Sequence, residues 1–312
     1  MKSYWFENAY LPTGWEKAVK ISIADSGLIS NIQTGVRAEG DTAFSGLAMP
    51  GFPNIHSHAF QRAMSGLSEV ITSPNDTFWT WRKVMYQCAH SITPEDQEAI
   101  ASQLYMEMLK AGYTSVGEFH YLHNQQNGQP FKNPAEMSHA IINAAEHTGM
   151  GLTHLPVLYM SSNFGNIPLK QEQSRFANSV DSFQRLLDNL SKRISNTGSA
   201  RLGIALHSLL AVPPEAISET LGFLNQLDST APIHIHIAEQ MKEVNDCVDW
   251  SGQRPVEWLA NQVGFDSRWC LIHATHVNAQ EVETIAKSQA VVGLCPSTEA
   301  NLGDGIFPIT DL

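Results

Sequence analysis

Positive charge is what this chain has least of: 19 Lys and Arg stand against 31 Asp and Glu in 312 residues, a formal net charge of −12. A nucleic-acid binder needs a basic stripe to displace counterions from phosphate, and no basic run offers one. Charge of either sign is sparse at 16%, so surface polarity must come largely from Asn, Gln, Ser and Thr. No apolar stretch approaches the ~20 residues of a membrane-spanning helix. The opening MKSYWFENAYLPTGW lacks the apolar core of a secretory signal. Cysteine is scarce as well. Cys88, Cys247, Cys270 and Cys295 are scattered without CxxC spacing, which reads as reduced thiols of a cytoplasmic protein. A hydrophobic content of 43% excludes a disordered chain. The length allows two domains or one α/β barrel of about 250 residues. Histidine is the one abundant oddity, at 13 residues.

Residues 1 to about 50 read as short β-strands: Trp5 and Phe6, then AVKISI (Ala18–Ile23) and GLISNI (Gly27–Ile32), punctuated by Gly, Pro and Asp. After Pro50, apolar runs alternate with helix-like segments, the pattern of a βαβ array with a parallel sheet. The runs are MPGFPNIH, TSVGEFHYLH, THLPVLYM, RLGIALHSLL, APIHIHIAE, WCLIHATH and AVVGLCP. Between them, Thr93-Pro94-Glu95 opens a helix with an N-cap and a proline at its first position, and Gly112 closes it. Asn133-Pro134 opens another, with Met137, Ile141 and Ala145 on one stripe and Gly149 at the end. Phe176, Val180, Phe183, Leu187, Leu190 and Ile194 form a third helical stripe. Seven strands are one short of a closed parallel barrel, with no helix expected after the seventh. An apolar parallel edge with unpaired backbone groups is unfavourable, so the expectation is part of a longer chain.

The histidines fall where a parallel barrel collects its chemistry, at the C-terminal ends of strands. His56 and His58, two apart on an extended segment, face the same way and can share one metal ion. Two such histidines can equally pack and hydrogen-bond as ordinary core residues. His236 ends the fifth run, with Glu239 three residues on, placing a third imidazole near a carboxylate able to move protons. His273 ends WCLIH on the next strand. His234, one layer deeper than His236, is expected to be a satisfied core histidine. Three strand ends delivering His, His/Glu and His to one rim point to a hydrolytic metal site.

At these residues the chain resembles the amidohydrolase superfamily and, within it, the formiminoglutamate deiminases of histidine degradation. The motifs PGFPNIHSHAFQRAMSGL, EFHYLH, HIHIAEQMKEV, WSGQRPVEWL, LIHATH and GLCPSTEANLGDGIFP carry the similarity over essentially the whole chain. The resemblance implies an α/β fold, a (β/α)8 TIM-type barrel here lacking its eighth strand. Residues 1–50 would be the N-terminal part of a small β-sandwich, and residues 51–312 the barrel. It implies one divalent metal, usually Zn2+, with Fe2+ or Ni2+ also suited to three imidazoles. His56, His58 and His236 would hold the metal, Glu239 and His273 would form the proton-transfer pair, and Gln61, Arg82, Tyr121 and His207 would touch the substrate. The metal lowers the pKa of bound water to about 7. On that resemblance, water activated in this way would attack the formimino carbon of N-formimino-L-glutamate, and ammonia would leave once Glu239 had protonated it. Arg82 in FWTWRKV suits a substrate carboxylate through its bidentate fork, although that segment alone reads as a solvated helix surface. Gln61 and Tyr121 can also be read as satisfied rim residues. A homodimer is common in the family.

Two departures from the family pattern matter. The family's fourth metal ligand is an Asp at the end of strand eight; none follows here, and Asp304 and Asp311 stand in a different context. Low activity is therefore expected of residues 1–312 by themselves. Leu210 occupies the position of a family Arg that pairs with a substrate carboxylate. The rival readings are an aminohydrolase of cyclic amidines or nucleobases and a non-catalytic metal-binding remnant.

Overall fold

The structure, a computed structural model, describes residues 2–67, 78–195 and 197–312, with the side chains of residues 78–80 in the FWTWRKV segment outside that description. The chain divides into two units, Met1–Phe52 and Pro53–Leu312. In the first, β1 (Lys2–Leu11), β2 (Gly14–Ile23), β3 (Ile29–Gln33) and β4 (Thr42–Ala48) form one sheet in the order β3-β2-β1-β4. The β1–β2 hairpin is antiparallel and β1–β4 parallel. Two of these strands run ten residues, longer than the short runs expected. Phe6 stacks on Phe44 at 5.4 Å, and the Trp5 indole N–H donates to the Val36 carbonyl at 2.8 Å.

The second unit opens with β5 (Phe52–Ser57), α1 (Phe78–Ser91) and α2 (Pro94–Lys110). It continues through β6 (Tyr113–His120), α3 (Glu136–Thr148), β7 (Gly151–Leu158) and α4 (Val180–Ile194). A short β8 (Ala200–Leu202), β9 (Ile204–Ser208), α5 (Pro214–Leu227) and β10 (Ile233–Ile237) follow. The chain then builds α6 (Met241–Ser251), α7 (Pro255–Gln262), β11 (Trp269–His273), α8 (Ala279–Ser288), β12 (Val291–Gly293) and α9 (Pro296–Leu302). The sheet runs β12-β11-β10-β9-β7-β6-β5, with β8 pairing only β7. The neighbours from β6 to β12 are parallel. A Cβ placed on Gly293 of β12 would lie 3.6 Å from Ile55 Cδ1 of β5. The two end strands therefore curl toward one another, and the sheet is a nearly closed, incomplete barrel. All five residues of β10 and of β11 are buried, as parallel strands covered on both faces require.

The helix signals hold with local shifts. Thr93 caps α2 in a reciprocal capping box with Asp96, and Pro94 is its first residue. α3 starts at Glu136, two residues later than Pro134, because the Asn133 side chain turns back to accept the Ala135 N–H at 3.1 Å. α4 buries Val180, Phe183, Leu187, Leu190 and Ile194 as its stripe demands. Phe176, assigned to that stripe, lies before the Ser179 cap and packs its ring 4.9 Å from Tyr121 instead. A helix does follow the seventh barrel strand: α9, signalled by Pro296 at its start and Gly303 in the left-handed region at its end.

Candidate active site

The C-terminal ends of β5, β9, β10 and β11 deliver His56, His207, His236 and His273, and His58 lies one residue beyond β5. The Nε2 atoms of His56 and His58 are 3.1 Å apart, and those of His56 and His236 are 3.2 Å apart. Backbone carbonyls decide two of the tautomers. His58 Nδ1 donates to the Phe119 carbonyl at 2.9 Å, and His236 Nδ1 donates to the His207 carbonyl at 3.0 Å. Each of these rings therefore turns an Nε2 lone pair toward His56. A single hydrogen on His56 Nε2 could serve one of these lone pairs, whereas a metal ion accepts both. Ligands at ~2.0–2.1 Å around a tetrahedral zinc are separated by roughly 3.3–3.4 Å, close to the spacing here. Burial holds His56 and His236 well below the usual imidazole pKa and lowers His58 to about 4. All three are neutral, the form a metal requires. His56 Nδ1 is buried without a partner among the described residues.

Beside the three imidazoles, His273 Nε2 lies 3.5 Å from Glu239 Oε1, and His273 Nδ1 lies 3.2 Å from Glu299 Oε1. Burial, then the charges of Asp304 and Glu243, push the Glu239 carboxyl well above its ordinary pKa. Burial lowers His273, with Glu299 opposing it. The backbone around this pair is in unusual conformations: Ala238 (φ 51°), His273 (φ 68°) and Ala274 (φ 47°) are left-handed without being glycine. Each costs ~1–3 kcal/mol and persists only where its surroundings over-determine it. Here the Glu243 carboxylate accepts the Ala238 and Glu239 N–H groups, both at 3.0 Å. The Ile237 carbonyl accepts the Ala274 N–H, also at 3.0 Å.

These groups open onto a cavity of about 570 Å³. It is lined by all nine residues singled out from the sequence: His56, His58, His236, Glu239, His273, Gln61, Arg82, Tyr121 and His207. Gln61 Nε2 donates to Tyr121 Oη at 2.9 Å, and Arg82 Nη2 donates to Tyr159 Oη at 3.0 Å. Arg82 also lies over the Tyr86 ring, 5.4 Å from its centroid. It points into the cavity and is not a solvated helix-surface residue. Leu210 adds an apolar wall.

Other expectations change. Asp304, set aside by context, is 4% exposed, and with Glu239 and His273 it offers ligand atoms all within 4.8 Å of one another. Its motif was conspicuous, but the fold of the segment after β12 was not legible. Glu299 was missed for the same reason. His234 is buried as expected, yet its Nδ1 has no partner among the described residues, so it is not a satisfied core histidine. His120, His123 and His154 are buried away from the cavity, because β6 turns Phe119, not His120, toward the metal-type cluster. Tyr159 and Phe176 also line the cavity, although their sequence pattern marks them only as strand and helix residues.

The amidohydrolase family matches residues 47–312. The formimidoylglutamate deiminase of Pseudomonas aeruginosa is 50% identical over 311 residues, covering 100% of this chain and 68% of that protein. The crystal structure of an amidohydrolase from Brucella melitensis superposes with a TM-score of 0.94 at 47% identity, over 100% of this chain and 68% of that one. An adenosine deaminase from Xanthomonas campestris with bound zinc shares the fold at a TM-score of 0.77 and 18% identity, over 99% and 66%. With this match across the barrel unit, the chain belongs to the amidohydrolase family.

Proposed function

We propose that this protein hydrolyses N-formimino-L-glutamate to N-formyl-L-glutamate and ammonia, as a zinc enzyme of the cytoplasm. The observation that carries the reading is 50% identity to a formimidoylglutamate deiminase along the entire chain. The cavity supports it with a three-imidazole cluster beside a carboxylate–imidazole pair. When held by His56, His58 and His236, zinc supplies Lewis acidity that brings water near a pKa of 7.

The chain's own residues do the rest. Glu239 takes one proton from water as it attacks and a second from the tetrahedral hydroxyl as it collapses, and hands both to the amidine nitrogen, which leaves as ammonia. His273 holds the attacking oxygen through the collapse of the tetrahedral carbon. The Arg82 guanidinium, kept in place by Tyr159 and the Tyr86 ring, receives a substrate carboxylate. Gln61, Tyr121 and His207 orient the formimino group. The Leu210 wall and the rings of Tyr121, Tyr159 and Phe176 favour one rival, a flat cyclic amidine stacked on aromatic surface.

Ammonia release by the zinc-loaded protein, from N-formimino-L-glutamate and from adenosine in parallel, separates the two. Faster release from adenosine would overturn the assignment.

A further inference from the structure

The ring nitrogens that face away from the cavity differ in what they meet. His58 and His236 each present Nδ1 to a backbone carbonyl, and His207 presents Nδ1 to the Ser208 hydroxyl at 3.0 Å. His273 presents Nδ1 to a carboxylate, Glu299 Oε1. That oxygen also accepts the Cys295 N–H at 2.8 Å, so two nitrogens converge on one acceptor. With Oε1 accepting, the hydrogen sits on His273 Nδ1 and the Nε2 lone pair turns toward Glu239 and the cavity.

Glu299 is itself held firmly. It lies in α9, 6% exposed, with its N–H donated to the Cys295 carbonyl and its carbonyl accepting the Asp304 N–H, both at 2.9 Å. The short helix closes on Glu299 from both sides.

We propose that Glu299 is a positioning residue for His273, fixing its Nδ1–H tautomer and ring angle so that Nε2 faces the reacting oxygen. This rests on the role given to His273 above. His273, Cys295 and Glu299 could instead gather an ion, since one ligand-type atom from each lies within 4.8 Å of the others. A bare Nδ1 would then be required.

Ring nitrogen-15 spectra of the metal-free wild-type protein test the tautomer without any substitution. His273 should appear as the Nδ1–H form, and as a mixture in Glu299→Leu. In the zinc-loaded protein, Glu299→Leu should lower kcat roughly 10- to 100-fold, with KM and zinc content unchanged. Glu299→Gln, which keeps a neutral acceptor, should recover most of the loss. An Nε2–H form in wild type would overturn the inference. So would normal kcat in Glu299→Leu while His273→Asn is inactive, or a second zinc per chain that Cys295→Ser removes. If His273→Asn keeps full activity, the role of His273 fails, and the spectra alone decide whether Glu299 sets its tautomer.

Discussion

Glu118 of β6 is a buried carboxyl whose removal should stabilise the protein, by an amount that depends on pH. It is 1% exposed, accepts the Ala59 N–H at 2.6 Å, and is the acceptor for the Tyr105 hydroxyl at 3.2 Å. Burial pushes its pKa from 4.5 up to about 7, against the opposing bonds from Ala59, Ser57 and Tyr105. The folded state thus holds a proton over a range where the unfolded state has lost it. Stability should fall as pH rises from about 4.5 to about 7 and stay lower above that. Moving a carboxyl from 4.5 to about 7 corresponds to about 3 kcal/mol.

Glu118→Gln keeps the geometry. Its amide oxygen accepts the Ala59 N–H, and its NH2 donates to the Tyr105 oxygen. With chelator present, thermal melts from pH 4.5 to 8.5 should show the variant gaining as pH rises. The difference should reach about 6–12 °C at the alkaline end, at roughly 2–4 °C per kcal/mol. A gap between the two proteins that does not change with pH would refute the reasoning.

Replacing His56 and His58 together with alanine should abolish zinc in elemental analysis; a variant with the parent's metal content would show the ligand assignment to be wrong. Glu239→Gln should leave metal content intact and lower kcat by ~10²–10⁴-fold, and near-normal turnover would move the proton transfer to another group. Arg82→Met should raise KM for N-formimino-L-glutamate roughly 10- to 100-fold, as loss of a charge-assisted contact does, with little change for adenosine; steady-state kinetics on both substrates decide it. Gly117→Ala should destabilise by at least ~1–3 kcal/mol in denaturant melts. The added Cβ would sit 2.7 Å from the Ile55 carbonyl oxygen, backbone that cannot give way.

What the sequence made legible was local. The strand runs carry apolar residues on both faces, interrupted mainly by histidine, and lack the regular polar alternation of a half-solvated strand. Thr93-Pro94 and Gly149 mark helix ends because capping is decided within a few residues. His56 and His58 are two apart, so their convergence needs little more than an extended chain. Glu299 and Asp304 were harder. Their chemistry depends on a seven-residue helix after β12 folding back toward β11, and no periodicity over seven residues signals that. Phe176 shows the opposite failure: helical spacing to Val180 was present, but the Ser179 cap starts the helix after it.

Thirteen histidines are therefore not thirteen versions of one signal. In β10, His234 and His236 share a face by the two-residue period, yet only His236 reaches the rim, where the His207 carbonyl takes its Nδ1 hydrogen. His234, buried at 7% exposure, leaves Nδ1 without a partner among the described residues. In β6 the parity falls the other way: Phe119 packs 4.3 Å from the His236 ring, so Glu118 and His120 must point to the opposite side. Glu118 uses that side to brace the turn after β5 through Ala59. The carbonyls that orient His58 and His236 belong to Phe119 and His207, neighbours in space from strands far apart in sequence. The site's ligand-type residues can be counted from the chain, but their tautomers, and hence whether they can share an ion, are set by backbone atoms that no motif names.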